Sequence, residues 1–555
     1  MAGKKTKQTE ATPEVLELNY QLAELPSSQH RAGLAGLVLM VDWLKRQPNK
    51  QGICEIERTA HNATLRINQQ GLEDLFNEVY AASLEEQVST RLREKSRTKE
   101  IIPPLREEKR QQLDPKTGKS KEKTIYIYED PIPKGAFLLR NDPSADGKNG
   151  LWIKLWRDVI WNIFRGKPAT RRPFADRAKG AQPDDTGEVW EDLIRPWEHT
   201  VKLPSTYFIG AQEINAEDVP FRDRARYQFL LRFWPFTVQI YVPLVLNNKD
   251  ELEFPGYVLA IPDVANLEVF CEEFPVVLRN RSPEPFRPRP YRPSDCVVDL
   301  AIEGALDTLK RLKDRLTELS GELSISDLVL GIDVAHVEKQ GNNIRLLGST
   351  RLDPEAAMID EYAQFRNSLW NPLFRKQRLL NLVNLRDWHM GFDRLMCCLP
   401  YKQTIGNATF RRDARKSFPA EEETMNGENA PDVTTTDAPP SKEVLVYRIV
   451  GVYLSSKLKS KYDLEWKQEW RSVKDPKNKP DGMKDYQEKR EKLAREAFFA
   501  IRSRTGQDFI DYFASTLCSV PQRRDERSYV ALTEALLNNT DEIRALTMLA
   551  LSARS

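Results

Sequence analysis

Leu328-Val329-Leu330-Gly331-Ile332-Asp333-Val334-Ala335-His336-Val337-Glu338 is a largely apolar run that meets Lys339-Gln340-Gly341-Asn342-Asn343 and resumes as Ile344-Arg345-Leu346-Leu347. Two apolar, β-branched segments around a Gly/Asn turn predict a pair of strands joined by a hairpin. Its tip carries backbone amides, the side-chain amides of Gln340, Asn342 and Asn343, and the charges of Lys339 and Arg345. That set suits phosphate oxygens or base edges. A polar hairpin tip with no ligand has the same composition, so both readings stand here.

Upstream of the hairpin, Leu306, Leu309, Leu312, Leu316, Leu319 and Leu323 make a narrow stripe at helical spacing, which predicts a helix packed on a core or a partner. Before it, residues 275–295 hold six prolines and five arginines, including Arg287 and Arg289. This reads as an extended connector with a cationic edge, either a linker or a strap tracking nucleic acid. From Tyr207 to Val277, short apolar runs are broken by prolines, as in Ile240-Tyr241-Val242-Pro243. Mixed strands and short helices are expected there.

Further upstream, Trp152, Leu155, Trp156, Val159, Trp161 and Phe164 fall at helical spacing. Such a stripe is more often core than a stacking platform for bases. It lies between two cationic stretches. Asn141 to Gly150 is a loop of turn formers containing Lys148 and Asn149; Arg165, Lys167, Arg171, Arg172, Arg177 and Lys179 then face the single Asp176. So unbalanced a loop is a better phosphate-contact candidate than any helix face in the chain. Residues 91–123, with twelve basic and six acidic residues, read as solvated helix and loop. Lys116-Thr117-Gly118-Lys119-Ser120 imitates the end of a phosphate-binding loop, but Leu113 stands where that motif needs glycine, and nucleotide hydrolysis is rejected. Residues 30–47 predict a helix ended by Pro48, with Gly33 and Gly36 marking close packing on a neighbour.

Ala420 to Pro440 has six acidic residues and no basic ones, the composition of a disordered linker. The tail from Ser441 carries 22 basic and 17 acidic residues and several apolar helical faces, which fits a small bundle. The expected architecture is therefore α+β: a mixed region over 1–419 with a candidate internal boundary at 275–295, a linker at 420–440, and a helical bundle over 441–555.

At 555 residues the chain buries a core without staples. Its 84 basic and 82 acidic residues leave a net charge of +2, so any nucleic-acid surface is local. Six cysteines without a CxxC spacing fit a reduced, cytoplasmic compartment. The longest apolar run is too short for a membrane span. Five scattered histidines make no metal-nuclease or HExxH pattern. Asp333 and His336 fall on opposite strand faces, His389 reads as a packed, aromatic-type histidine, and Asp387 with Asp393 as a solvated pair. No catalytic residue, metal or cofactor is expected.

Two further segments join the hairpin in carrying a resemblance: Leu25-Pro26-Ser27-Ser28-Gln29-His30-Arg31-Ala32-Gly33-Leu34-Ala35-Gly36-Leu37, and Tyr207-Phe208-Ile209-Gly210-Ala211-Gln212 followed by Ala216-Glu217-Asp218-Val219-Pro220-Phe221. In order and rough spacing the chain resembles the large subunits of type I CRISPR Cascade complexes, in the subtype I-B group that includes the myxan-type subunits. The resemblance implies a non-catalytic subunit whose partners are CRISPR RNA, target double-stranded DNA, and the backbone and guide-end subunits of Cascade, together with either a helicase-nuclease or a transposition adaptor. It would recognise a short duplex motif beside the target (the PAM), aid strand separation and hold the displaced strand of the R-loop. The DNA-contact candidates are then Lys148, Asn149, Arg165, Lys167, Arg171, Arg172, Arg287, Arg289, Lys339, Gln340, Asn342, Asn343 and Arg345. It also raises an internal start at Met425 yielding a separate helical small subunit, against which stands an ordinary linker methionine. Two other readings stay open: a nucleic-acid enzyme with an unrecognised carboxylate site, and a protein-interaction scaffold with solvated cationic loops.

Overall fold

The computed structural model describes residues 15–555 apart from 95–97, 114–119, 148, 165–170, 184, 204–208, 210–218, 248–250, 288, 320–322, 342, 419–440, 473–479 and 520–525. The chain divides into two compact units, Met1–Ala356 and Ala357–Ser555.

The first unit opens on β1 (Leu16–Gln21), where Leu16, Leu18 and Tyr20 turn inward at the strand period of two. It pairs with β3 (Asn62–Ile67), which pairs in turn with β2 (Cys54–Arg58), all antiparallel. Between β1 and β2 runs α1 (Ser28–Leu44), whose N-cap Ser27 accepts from the backbone N–H of His30. This helix is apolar nearly all round and buried accordingly. A Cβ on Gly33 would sit 2.4 Å from the Leu230 carbonyl oxygen and one on Gly36 2.2 Å from that of Phe233. The glycines are there because another backbone passes at van der Waals distance.

Residues 91–123, expected as helix and loop, instead supply strands. β4 (Ala82–Ser89), β5 (Arg106–Leu113) and β6 (Ser120–Pro133) form an antiparallel sheet in the order β4-β6-β5. Charge density hid a period of two. Glu108 pairs with both Arg106 and Arg110, at 2.9 and 2.8 Å, a spacing of two that brings side chains together only on an extended strand. Ile125 and Ile127 on β6 are buried.

Next comes α2 (Leu151–Asn162), started by its preceding loop: Leu151 N–H donates to Ser144 Oγ at 2.6 Å and Ile153 N–H to the Asp142 carboxylate at 3.0 Å. Leu155, Trp156 and Val159 face the core, and the Trp156 indole donates to the Pro235 carbonyl at 3.0 Å. α3 (Arg171–Ala178) follows.

A five-stranded sheet completes the unit. β7 (Gln239–Pro243), β8 (Tyr257–Val264), β9 (Val297–Val298), β10 (Val329–Gln340) and β11 (Asn343–Leu352) stand in the order β9-β7-β8-β10-β11, antiparallel except for β9 beside β7. The expected hairpin is β10–β11. Gln340 faces Asn343 across its two-residue turn, and Gly341 takes φ +61°, a left-handed conformation that favours glycine. Residues 275–295 begin inside a helix, α4 (Leu267–Arg279), which accommodates Pro275, and the whole stretch falls within the first unit. α5 (Glu303–Glu318) buries Leu306, Leu309, Leu312 and Leu316 as expected, but it ends before Leu319, and Leu319 and Leu323 are exposed.

The second unit is helical: α6 (Ala356–Phe365), α7 (Pro372–Val383), α8 (Phe392–Cys398), α9 (Ala408–Ser417), α10 (Lys442–Tyr462), α11 (Asp481–Arg502), α12 (Gly506–Tyr512), α13 (Glu526–Asn538) and α14 (Thr540–Arg554). The bundle expected over 441–555 therefore takes in residues 357–418 as well. The reason is α14, buried from Glu542 to Ala553. It is covered by α8 and α9 in addition to α10, α11, α12 and α13. Asp393, expected as half of a solvated pair, is buried and bound to Arg544 at 2.8 Å. His389 packs edge-on against Trp388 at 5.5 Å, as an aromatic-type histidine should. The expected linker at 420–440 lies outside the described residues. The architecture is α+β with a helical C-terminal region. Among the described residues no helix is long and apolar enough to cross a membrane.

Candidate nucleic-acid interface

The helix α2 gathers the cationic segments. Its Trp161 ring lies under Arg171, the first residue of α3, at 4.7 Å, and the next residue, Asn162, accepts from the Lys339 ammonium on β10 at 3.3 Å. At the other end, Trp152 lies under the buried Arg281 at 3.4 Å. Asp158, between them, hydrogen-bonds Tyr257; burial pushes its carboxyl above the ordinary range, while Arg292 and that hydrogen bond pull it back. One helix thus holds the 171–179 segment, the hairpin and the 281–292 strap. The stripe read as core is core at Leu155, Trp156 and Val159, whereas the half-buried Trp152 and Trp161 serve as platforms for guanidinium groups.

The sequence candidates separate by exposure. Arg171 and Arg172 are exposed on α3, a helix where an irregular stretch was expected, with Arg172 3.5 Å from Asp176 one turn on. Lys339, Gln340, Asn343 and Arg345 are exposed at the hairpin tip, and the last three make no side-chain hydrogen bond or ion pair among the described residues. Arg287 and Arg289 are exposed on the strap, Arg289 lying 5.5 Å over Phe254. Asn149 is engaged inward: its carboxamide accepts from Arg157 and donates to Glu85 at 3.4 Å, so it braces the loop before α2. Lys148, Arg165, Lys167 and Asn342 lie outside the described residues, as does the imitation phosphate loop apart from Ser120.

Sequence reasoning missed the strap's two-sidedness. Arg281 and Arg292 are buried, and each leaves guanidinium N–H groups without a hydrogen-bond partner among the described residues. Nothing in a Pro/Arg composition marks which arginines turn in. It also missed what Ser27 to Arg31 do. Ser27 contacts His30, whose other ring nitrogen meets Asp223 at 2.9 Å. Ser28 donates to Asp333 at 2.5 Å, Arg31 binds Asp263, and Arg351 joins Asp263 at 2.8 Å to Asp333 at 3.4 Å. The start of α1 is therefore tied to β8, β10 and β11, seating the hairpin on the core. A run of polar residues opening an apolar helix was the available signal. Asp333 is spent in this network and the His336 ring meets the Pro255 carbonyl oxygen at 2.8 Å. Of the Tyr207–Gln212 and Ala216–Phe221 segments, only Ile209 and Val219 to Phe221 are described.

A chain of two units, one α+β with exposed cations on several segments and one helical, is the architecture on which the family comparison falls. The type I-B CRISPR Cas8b N-terminal domain matches residues 53–322, and the Cas8b C-terminal domain matches residues 329–554. The chain belongs to the Cas8b family, the large subunits of type I-B CRISPR complexes. No curated protein matches it. The junction between the two matches precedes β10, yet β10 and β11 complete the first unit's sheet.

Proposed function

We propose that this large subunit reads the short duplex motif beside the target, helps to part the strands and holds the displaced one, leaving most sequence specificity to guide-RNA pairing. It does so as a non-catalytic subunit. The observation that carries this reading is the gathering on α2: Arg171 on Trp161 and Lys339 on Asn162 put two exposed cationic segments at one helix end. Phosphate contacts from Arg171 and Arg172 position the DNA, and the amides of Gln340 and Asn343 reach base edges.

In a reconstituted complex, Arg171→Ala with Arg172→Ala weakens target binding whatever the flanking sequence. It also lowers the slope of log affinity against log salt by about two, near one per phosphate contact. Gln340→Ala or Asn343→Ala shifts preference among flanking motifs and leaves the slope unchanged. Wild-type binding by all these variants removes the interface. Magnesium- or manganese-dependent cleavage of DNA by the isolated chain, lost on changing one of its own carboxylates, removes the non-catalytic assignment.

A further inference from the structure

In the second unit, Asp387 and His389 stand on the connection between α7 and α8, and Glu542 in the first turn of α14. One ligand atom from each lies within 4.8 Å of the other two. His389 is fully buried, yet neither ring nitrogen has a hydrogen-bond partner among the described residues. Its Nε2 approaches Glu542 Oε1 to 3.2 Å without hydrogen-bond geometry. A separation of that size is about the edge of a tetrahedron of ligands held roughly 2 Å from a common ion.

The surroundings favour a cation. Asp387, Glu443 and Glu542 all act on the imidazole, with Lys442 opposing them. The Lys442 ammonium already sits 2.7 Å from one oxygen of Glu542 and 2.8 Å from the other. It is a tethered cation on a half-exposed arm. Asp387 is exposed and leaves an entry path.

We propose that Asp387, His389 and Glu542 bind one divalent first-row transition-metal ion, with Lys442 as its built-in competitor. An imidazole with two carboxylates suits zinc or manganese. The ion clamps the α7–α8 connection to the start of α14.

The test uses the full chain, stripped with EDTA and titrated with zinc chloride or manganese chloride, with bound metal counted by plasma mass spectrometry after gel filtration. Wild type retains one equivalent and melts at a higher temperature with metal than without. Asp387→Asn, at the exposed rim, keeps the metal-free melting temperature and weakens binding by at least about tenfold. His389→Gln weakens it further, and Lys442→Met tightens it. Wild type binding neither metal overturns the proposal. So does unchanged binding by Asp387→Asn and His389→Gln, which would place the ion elsewhere, for instance on the free cysteines.

Discussion

Replacing Asp393 by alanine strikes the bond that ties α8 to the buried α14. Its carboxylate lies 2.8 Å from Arg544 Nη1, and the two side chains are 11% and 5% exposed. The other terminal nitrogen of Arg544 donates to Cys397 Sγ and to the Arg502 carbonyl, both at 3.1 Å. The guanidinium therefore cannot leave its site without unmaking those contacts, and the variant strands a positive charge in the interior. Unit charges about 4 Å apart at an effective dielectric of about 20 interact by about 4 kcal/mol. Breaking one partner of a buried pair costs about 3–5 kcal/mol. Both routes reach a large fraction of the roughly 5–15 kcal/mol that holds a domain folded. Urea unfolding followed by tryptophan fluorescence measures it, since Trp370, Trp388, Trp466 and Trp470 all belong to the second unit. Pairing Asp393→Leu with Arg544→Met removes both charges, and the double variant is then less unstable than the sum of the two single changes, by up to about 3 kcal/mol. A loss below about 1 kcal/mol for Asp393→Ala, or additive single changes, refutes the reasoning.

Two further outcomes follow from buried charge. Because burial raises the Asp158 carboxyl above its ordinary pKa, the folded state holds that proton more tightly than the unfolded chain. Its stabilisation is complete below the usual carboxylate value and is lost as pH rises through the folded one. Asp158→Asn removes this slope, so melting temperatures of wild type and variant diverge as pH rises from about 4; parallel curves contradict it. A chain begun at Met425 lacks α8 and α9, hence Asp393 and part of the cover of α14. Expressed alone, it unfolds at lower urea than the second unit of the full chain by circular dichroism, and equal midpoints count against that packing. Mass spectrometry of the native gene's products shows whether the cell makes that chain, by a species beginning at Met425 that disappears when its codon is changed.

The features legible in the sequence are those set by short-range sterics. The β10–β11 hairpin follows from apolar runs flanking a Gly/Asn turn, because the turn's backbone conformation is a local property. Gly33 and Gly36 mark a close approach because no other residue leaves room for one. The faces of α11, with Leu493, Ala497, Phe498 and Ile501 turned inward, follow from a period that the helix itself imposes. The family likeness was also legible, and two of the segments that carry it meet where Ser28 at the start of α1 binds Asp333 of the hairpin.

Tertiary structure decided what depends on partners far along the chain. Residues 106–113 read as solvated because every side chain but Leu113 is polar or charged, and only pairing with β6 makes them a strand. The five arginines of the strap look alike in composition; Arg281 turns in because Trp152 and Gln239 receive it, while Arg287 and Arg289 face out. Helices α8 and α9 join the tail because α14 is buried around its circumference, its polar Glu542, Arg544, Thr547 and Ser552 included, and needs cover that its nearer neighbours do not complete. Asp393 and Arg544, 151 positions apart, carry no mutual signal in one sequence: an ion pair becomes buried only when the fold has removed the water from both of its members.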